Sequence, residues 1–132
     1  MARPALLAHR GPDGEGIWID DFIGLGHRRL AILDLTDAAS QPMHSDDEGL
    51  VLVYNGEVYN YRELRSELEA MGYLFHSTGD TEVVLKAYHA WGDECVKRFN
   101  GMFAFVVWEK KTNSLFLARD RYGVKPLYYL FC

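Results

Sequence analysis

The sequence predicts an α+β domain in which layers of strands and helices pack against one another. Short apolar segments rich in β-forming residues stand at both ends of the chain, and two amphipathic helical segments stand between them. This order lacks the regular strand and helix alternation of a wound parallel sheet. With 132 residues, 48% of them hydrophobic, the chain is long enough to bury one core, so we expect one domain over residues 1–132.

Strands are expected in the first part of the chain. After the loop HRGPDGEG (residues 9–16), residues 17–20 and 22–27 are apolar segments separated by an Asp-Asp turn, which predicts a hairpin. Residues 31–35 and 50–54 predict two further strands, and the polar, proline-containing segment between them predicts a loop. The dipeptide that follows residue 54 is expected to end the last of these strands.

Two helices are expected in the middle of the chain. Asn60 is placed to cap a helix over residues 61–71, and Gly72 is placed to end it. The apolar face of this helix is predicted to consist of Leu64, Leu68 and Met71. Asp80 is placed to cap a second helix over residues 81–91.

Strands return in the last third of the chain. A short helix over residues 94–99 precedes two apolar segments, 102–108 and 115–118, which are joined by a polar turn and predict two strands. Residues 127–131 predict a last strand.

Composition excludes several classes of protein. The formal net charge of −5 gives no electrostatic basis for binding nucleic acid or anionic lipid. No apolar run approaches the roughly 20 residues of a membrane helix, and the first residues do not resemble a secretory signal, so we expect a cytoplasmic protein without a membrane partner. Cys95 and Cys132 cannot form a disulfide framework, and we expect both thiols to be reduced.

Local motifs for cofactors are also missing. In GLGHRR, Arg29 stands where a dinucleotide fingerprint needs its third glycine, and no GxxxxGK[ST] loop is present. The five histidines never occur at HExxH spacing. We therefore expect neither a nucleotide nor a metal ion in this segment of chain.

Several polar residues allow two interpretations each. Asn55-Gly56 fits a hairpin turn, or it places an amide side chain and a backbone N–H at a cleft where an oxyanion develops. Arg28 and Arg29 must point to opposite faces of a strand, and one of them is a candidate for binding a carboxylate. Taken alone, Asp80 is most simply a helix cap.

Seven blocks of sequence, taken in order, resemble one family. The blocks are HRGPDGEG (9–16), GLGHRRLAILD (24–34), QPM (41–43), YNGEVYNYRELR (54–65), GDTEVVL (79–85), FNGMFAFVVW (99–108) and ARDRYGVKPLYY (118–129). Together they resemble the class II glutamine amidotransferase domain of glutamine-hydrolysing asparagine synthetases. Glucosamine-phosphate synthase and amidophosphoribosyltransferase share the fold of this family but not the combination of RLAILD with NGEVYNYREL.

The resemblance implies a four-layer αββα sandwich of the N-terminal-nucleophile (Ntn) hydrolase type. It implies that glutamine is hydrolysed to glutamate and ammonia in a cleft between the sheets. In such enzymes the nucleophile is an N-terminal cysteine, and its own α-amine acts as the general base. The resemblance implies a covalently attached synthetase domain that uses ATP and Mg to amidate aspartate. It implies no cofactor for the glutaminase domain itself.

The resemblance also assigns binding roles to individual residues. Arg29 is expected to hold the α-carboxylate of glutamine and Asp80 its α-ammonium group, since a zwitterion needs one fixed cation and one fixed anion. The backbone at Ile32 and Leu33 is expected to line the same pocket, and Glu57 to help fix the amino-acid end.

For the reacting end, the resemblance implies an oxyanion hole made by the side chain of Asn55 and the N–H of Gly56. Each such donor is worth about 3 kcal/mol in the transition state.

One departure from the family concerns the nucleophile. The family begins with Met-Cys-Gly, whereas here Met1 is followed by Ala2 and Arg3, and Cys95 is expected to pack in the core rather than to react. We therefore expect a truncated domain, lacking its first strand, that does not turn over glutamine and that aggregates through exposed apolar surface. The alternatives are a non-catalytic glutamine-binding module, or the glutaminase part of an enzyme with an acceptor other than aspartate.

Overall fold

In the part of the chain that the structure describes, the fold consists of two antiparallel sheets and two α-helices. The computed structural model describes residues 4–30 and 33–130. Within these ranges the strands and helices are β1 Gly14–Ile19, β2 Gly24–Arg29, β3 Met43–His44, β4 Leu50–Val58, α1 Tyr61–Ala70, α2 Asp80–Trp91, β5 Gly101–Glu109 and β6 Ser114–Arg119. Short 3-10 helices cover Pro4–Arg10, Asp37–Ala39 and Gly92–Arg98, and the last of these confirms the short helix predicted over residues 94–99. No helix in the described part of the chain is long and apolar enough to cross a membrane.

The predicted hairpin is confirmed, although its strands start and end a few residues from the predicted positions. β1 and β2 pair antiparallel, with Ile17 opposite Gly26. One carboxylate oxygen of Asp20 accepts the N–H groups of Phe22 at 2.8 Å and Ile23 at 2.9 Å, which closes the turn. The second sheet has the strand order β3-β4-β5-β6 with every neighbouring pair antiparallel.

The layers stack in the order helices, four-stranded sheet, hairpin. One face of the large sheet packs against α1 and α2 through a core that contains Leu52, Phe105, Leu68 and Val84. On the opposite face, Val51 and Trp108 contact Leu25 of the hairpin. The described residues thus form three of the four layers expected from the αββα resemblance: helices, sheet and sheet.

The helix α1 forms as predicted, but two of its expected details are wrong. The Asn60 side chain does not cap it: Nδ2 donates to the Arg98 carbonyl and Oδ1 accepts from the Asn100 N–H, both at 2.9 Å. Asn60 therefore ties the start of α1 to the segment before β5. Leu68 is fully buried, whereas Met71 is 54% exposed and lies outside the apolar face.

Two predicted strands are wrong. Residues 33–35 form no strand, because the Asp34 carboxylate accepts the Thr36 N–H at 2.8 Å and turns the chain. Residues 127–130 pair with no strand in the described part of the chain. Residues 31, 32 and 131 of these two predictions lie outside the described residues.

Candidate functional site

A cleft of about 380 Å³ opens where the hairpin meets β4 and the first residue of α2. Six residues assigned by the sequence resemblance line this cleft: Arg29, Leu33, Asn55, Gly56, Glu57 and Asp80. Ile32, the seventh, lies outside the described residues. The structure thus brings together residues from three separate segments of the chain at one cavity.

Asn55 and Gly56 lie inside β4, so both the hairpin-turn interpretation and the predicted end of the strand are wrong. Asn55 pairs with Ala104 of β5, and β4 continues to Val58. Side chains alternate between the faces of a strand, and Val51 and Val53 pack on the hairpin side. Asn55 therefore belongs to that side as well, where it lines the cleft.

The backbone N–H of Gly56 lies on the edge of β4 that faces away from β5. Gly56 is opposite Phe103, whose own C=O accepts the Asp120 N–H at 2.8 Å and whose N–H donates to the Asp120 carboxylate at 3.2 Å. Both polar groups of Phe103 are thus directed toward β6. Since antiparallel ladders alternate, the Gly56–Phe103 pair is not hydrogen-bonded between β4 and β5.

The two amides on either side of Gly56 along this edge are occupied by side chains. The Tyr54 N–H donates to Gln41 Oε1 at 2.6 Å, and the Val58 N–H donates to Asp80 Oδ2 at 2.9 Å. The same alternation places the Gly56 N–H between them, at the cleft.

Position 56 also requires glycine for space. Its φ is +156°, and an added Cβ would overlap the Met102 carbonyl oxygen and lie 2.6 Å from the Phe103 Cα. Backbone atoms of β5 cannot move aside as a flexible side chain would, so β4 and β5 approach closely only because this residue has no side chain.

Asp80 is not a helix cap, contrary to the simplest interpretation of its position. It is the first residue of α2, follows Gly79 at the cap position, and is 5% exposed. Its Oδ2 accepts the Tyr54 hydroxyl at 2.5 Å and the Val58 N–H at 2.9 Å. Burial, and then the Asp80 charge, raise the pKa of Tyr54 well above its ordinary value. The phenol therefore stays protonated as a donor and holds the carboxylate at the cleft.

Arg29 is the one of the two neighbouring arginines that lines the cleft. Its guanidinium donates to the Thr36 carbonyl at 2.9 Å and to the Asp34 carbonyl, which use two of its five N–H donors. Arg28 lies on the outer face of the hairpin, where it pairs with Glu15, its cross-strand neighbour, at 2.5 Å. The predicted division of the two side chains between opposite faces is confirmed.

Asp34 is a structural residue of the site that the sequence analysis did not single out. One carboxylate oxygen accepts the N–H and hydroxyl of Thr36, and the other accepts those of Thr78. These bonds, the Thr36 hydroxyl first, hold the pKa of Asp34 far below its ordinary value. Asp34 joins the segment after β2, which carries Leu33, to the segment before α2. An aspartate two residues before a threonine is a usable turn signal.

His27 and Lys125 also line the cleft and were not assigned to the site. His27 Nε2 donates to the Tyr54 carbonyl at 3.1 Å, and burial lowers the pKa of its imidazole. A neutral His27 therefore binds the backbone of β4 just before Asn55.

Cys95 has the packing role predicted for it. Its side chain is fully buried in the core beneath α2, and burial raises the pKa of its thiol to about 12. It remains a protonated thiol at neutral pH and lies outside the cleft. Cys132 lies outside the described residues.

The cleft combines a buried carboxylate, a guanidinium and an edge amide. Comparison with known proteins agrees with this arrangement. Residues 1–131 match the family described as a glutamine amidotransferase domain. The chain belongs to that family.

The curated relatives of this glutamine amidotransferase domain include glutamine-hydrolysing asparagine synthetases. It is 47% identical over 124 residues to asparagine synthetase 1 of Bacillus subtilis, covering 94% of this chain and 20% of that protein. It is 49% identical over 142 residues to putative asparagine synthetase 2 of Methanocaldococcus jannaschii, covering 93% of this chain and 27% of that one. The chain thus spans about a fifth to a quarter of the length of these relatives.

One further relative and one solved structure extend the comparison. The chain is 43% identical to amidase chry2 of Gibberella zeae, covering 94% of this chain and 19% of that protein. The structure of glutamine phosphoribosylpyrophosphate amidotransferase from B. subtilis superposes with a TM-score of 0.65 at 26% identity, covering 78% of this chain and 24% of that one. This likeness places the domain in the Ntn-hydrolase fold class.

Proposed function

We propose that the cleft binds glutamine and that this domain is the glutaminase part of an asparagine synthetase. The observation that carries the proposal is the meeting of Arg29, Asp80 and the Gly56 edge amide in one cavity. A zwitterionic amino acid presents a carboxylate and an ammonium group at one end, which a fixed cation and a fixed anion bind together. Three carbons separate the side-chain amide of glutamine from its α-carboxylate, which brings the reacting carbonyl to a second position in the cleft.

At the amino-acid end, Arg29 binds the α-carboxylate with the donors that do not contact the segment after β2. Asp80 binds the α-ammonium group, because its carboxylate is already oriented by Tyr54 and Val58. Leu33 lines this end and Glu57 contributes a second negative charge. The sequence resemblance assigns the backbone of Ile32 to the same pocket.

At the amide end, the Asn55 side chain and the Gly56 N–H form the oxyanion hole. The amides on either side of Gly56 are bound to Gln41 and Asp80, which fixes the edge of β4 in place. A donor that needs no reorientation is what stabilises a developing tetrahedral oxyanion, at about 3 kcal/mol per donor.

Hydrolysis needs a thiol nucleophile that attacks the amide carbon. The tetrahedral intermediate then loses ammonia to form a thioester, and water releases glutamate from the thioester and restores the thiol. Cys95 is buried and lies outside the cleft, and its raised pKa keeps it protonated. We infer that these 132 residues bind glutamine without turning it over. In this proposal ATP and Mg are cofactors of the synthetase part found in the relatives. The glutaminase domain supplies that part with ammonia, which is transferred to aspartate. The reaction takes place in the cytoplasm.

Isothermal titration calorimetry with glutamine tests the proposal. Asp80→Asn keeps an oxygen that accepts from Tyr54 and Val58 but removes the charge, so glutamine affinity should fall about tenfold or more. Asp93→Asn, just beyond the other end of α2, is the matched control and should leave affinity unchanged. Absence of glutamine binding by the unmodified chain at millimolar concentrations would refute the proposal, and ammonia release would refute the inferred lack of turnover.

The acceptor of the ammonia is a separate question. Amidase chry2 is 43% identical to this chain, against 47% for asparagine synthetase 1 of Bacillus subtilis. This similarity favours, as the second candidate, the glutaminase part of an enzyme with a different acceptor. Assaying the full-length protein with ATP, glutamine and aspartate distinguishes the two, since only the first yields asparagine.

A further inference from the structure

Lys125 is a cation of the cleft that the proposed glutamine contacts do not use. It lines the cavity together with Gly56 and Met102 and is half-buried. Its ammonium group forms no ion pair with any residue in the described part of the chain. A half-buried lysine without an ion pair among the described residues, in a cavity lined by other charged groups, is a candidate for binding an anion.

The backbone of Lys125 is held in place by a buried carboxylate. Asp120 is 4% exposed, and its oxygens accept the N–H groups of Val124 at 2.9 Å and Lys125 at 3.0 Å. On the other side of this loop, the Arg119 guanidinium donates to the Gly123 carbonyl at 2.7 Å. The residues after β6 therefore form a defined turn.

The same carboxylate ties this turn to the strand pair that carries the oxyanion hole. Asp120 Oδ2, which accepts from Lys125, also accepts the Phe103 N–H at 3.2 Å. Phe103 lies directly opposite Gly56 in the β4–β5 register. Lys125 is thus anchored at the level of Gly56, on the part of the cleft assigned to the amide end of the substrate.

The other charged groups of the cleft are bonded or lie toward its other end. Arg10 also lines the cleft, but it is followed directly by Gly11, which lies against the backbone of Arg28 and Arg29 at the amino-acid end. The Arg29 guanidinium donates to two carbonyls of the segment after β2. The Asp80 carboxylate accepts from Tyr54 and Val58. A second carboxylate on a ligand, placed beyond its amino-acid end, has Lys125 as the cation that is anchored at the level of Gly56.

We propose that Lys125 is a specificity-determining residue that binds a negative charge at the γ position of the ligand, so that the cleft holds glutamate through its γ-carboxylate. This rests on the proposed function, in which glutamate is the product of hydrolysis. Glutamine and glutamate have nearly the same shape and differ at this position in charge, so they are a matched pair of probes. The same ammonium group favours the negatively charged oxyanion over the neutral amide.

The test is calorimetric titration of the 132-residue chain with glutamine and with glutamate at low and moderate salt. Lys125→Met keeps most of the side-chain length and removes the charge. We expect it to weaken glutamate binding about tenfold while changing glutamine binding less than threefold. Lys125→Arg should restore most of the glutamate affinity. Lys111→Met, in the exposed turn between β5 and β6, removes the same charge far from the loop and should affect neither ligand.

The outcomes separate the two proposals. If glutamine binds and Lys125→Met weakens both ligands equally, Lys125 acts at the α-carboxylate that they share and the inference is wrong. It is also wrong if the variant changes neither affinity, or if the unmodified chain binds glutamine but rejects glutamate. If the unmodified chain binds neither ligand, the proposed function itself fails. Equal thermal unfolding temperatures for all variants establish that the fold is retained.

Discussion

At the scale of single residues, Gly56 has two functions: it leaves space for the backbone of β5, and its N–H is a hydrogen-bond donor at the cleft. Its missing Cβ lets β4 lie against Met102 and Phe103, and its N–H lies between two amides that are already bonded. A change at this position therefore alters stability and the cleft together.

Gly56→Ala should lower the free energy of unfolding by about 3 kcal/mol, because the new methyl group overlaps backbone atoms of β5 in addition to its unfavourable φ. Gly72→Ala is the matched control: its φ is +98°, but no atom lies within 4 Å of the new Cβ. It should cost only about 1 kcal/mol. Urea denaturation followed by fluorescence measures both, and equal losses would show that close packing at Gly56 contributes nothing.

The sequence could predict residues that line the cleft but not those that support them. Arg29, Asn55 and Asp80 stand in motifs of the resembled family, and the structure brings them to one cleft. Asp34 and Asp120 act through contacts with segments distant in sequence, such as Thr78 and Phe103. Such pairings depend on how the strands and loops are arranged, and a local pattern does not contain that information.

At the scale of elements, Asp34 joins the segment after β2 to the segment before α2. Asp34→Ala removes a buried carboxylate that accepts four hydrogen bonds, from the N–H and hydroxyl groups of Thr36 and Thr78. We expect a loss of about 3 kcal/mol in the free energy of unfolding and weaker glutamine binding, since Leu33 and the carbonyls that hold Arg29 lie in the same segment.

Asp37→Ala provides the control for this change, because Asp37 is exposed in the same segment. It should change the free energy of unfolding by less than about 0.5 kcal/mol. Denaturation in urea and glutamine calorimetry on both variants provide the measurement. Similar behaviour of the two would mean that Asp34 does not join these segments.

The turn after β6 should make stability depend on pH through Asp120. The N–H of Lys125, with those of Val124 and Phe103, lowers the pKa of this carboxyl from 3.8 to about 2. Since the folded pKa is the lower one, the contribution is complete above about pH 4 and is lost as the pH falls to about 2. Asp120→Asn should therefore be less stable than the unmodified chain at pH 6, and the difference should shrink between pH 4 and 2.

Asp21→Asn, in the exposed hairpin turn, is the control and should follow the unmodified chain at every pH. Urea titrations at pH 6, 4 and 3 provide the comparison. A difference for Asp120→Asn that stays constant over this range would show that the carboxylate charge is not what the three N–H groups stabilise.

Among the elements, the sequence predicted the helices and long strands more reliably than the short apolar segments. α1 and α2 form over nearly the predicted ranges. α1 buries one face, through Leu64 and Leu68, whereas every residue of α2 from Asp80 to Ala87 is buried. Residues 33–35 and 127–130 belong to short apolar segments that also predicted strands, yet they form none. An apolar segment becomes a strand only where a neighbouring strand is available to pair with it. Asn55-Gly56 is extended, although a turn was predicted there, because β5 pairs with the whole length of β4.

At the scale of the whole molecule, the hairpin is buried on only one of its faces among the described residues. Trp18 and Leu25 pack toward the large sheet, and Trp108 Nε1 donates to Asp20 Oδ2 at 3.2 Å. On the outer face, Ile17 is 54% and Ile19 57% exposed, and both lie opposite glycines that cannot cover them. A flat apolar strand surface of this kind favours association between chains.

Ile19→Lys should therefore raise the concentration at which the 132-residue chain associates, as measured by sedimentation velocity. Lysine on an exposed strand opposes pairing, since its charge must be desolvated in any contact. Leu74→Lys is the matched control: Leu74 is exposed between α1 and α2, away from the hairpin, and the substitution adds the same charge. If both variants associate alike, net charge and not the hairpin surface controls association. If the unmodified chain stays monomeric at high concentration, the outer face of the hairpin does not self-associate. Unchanged tryptophan fluorescence, to which Trp18 on the inner face contributes, would show that any effect arises from the outer surface and not from loss of the hairpin.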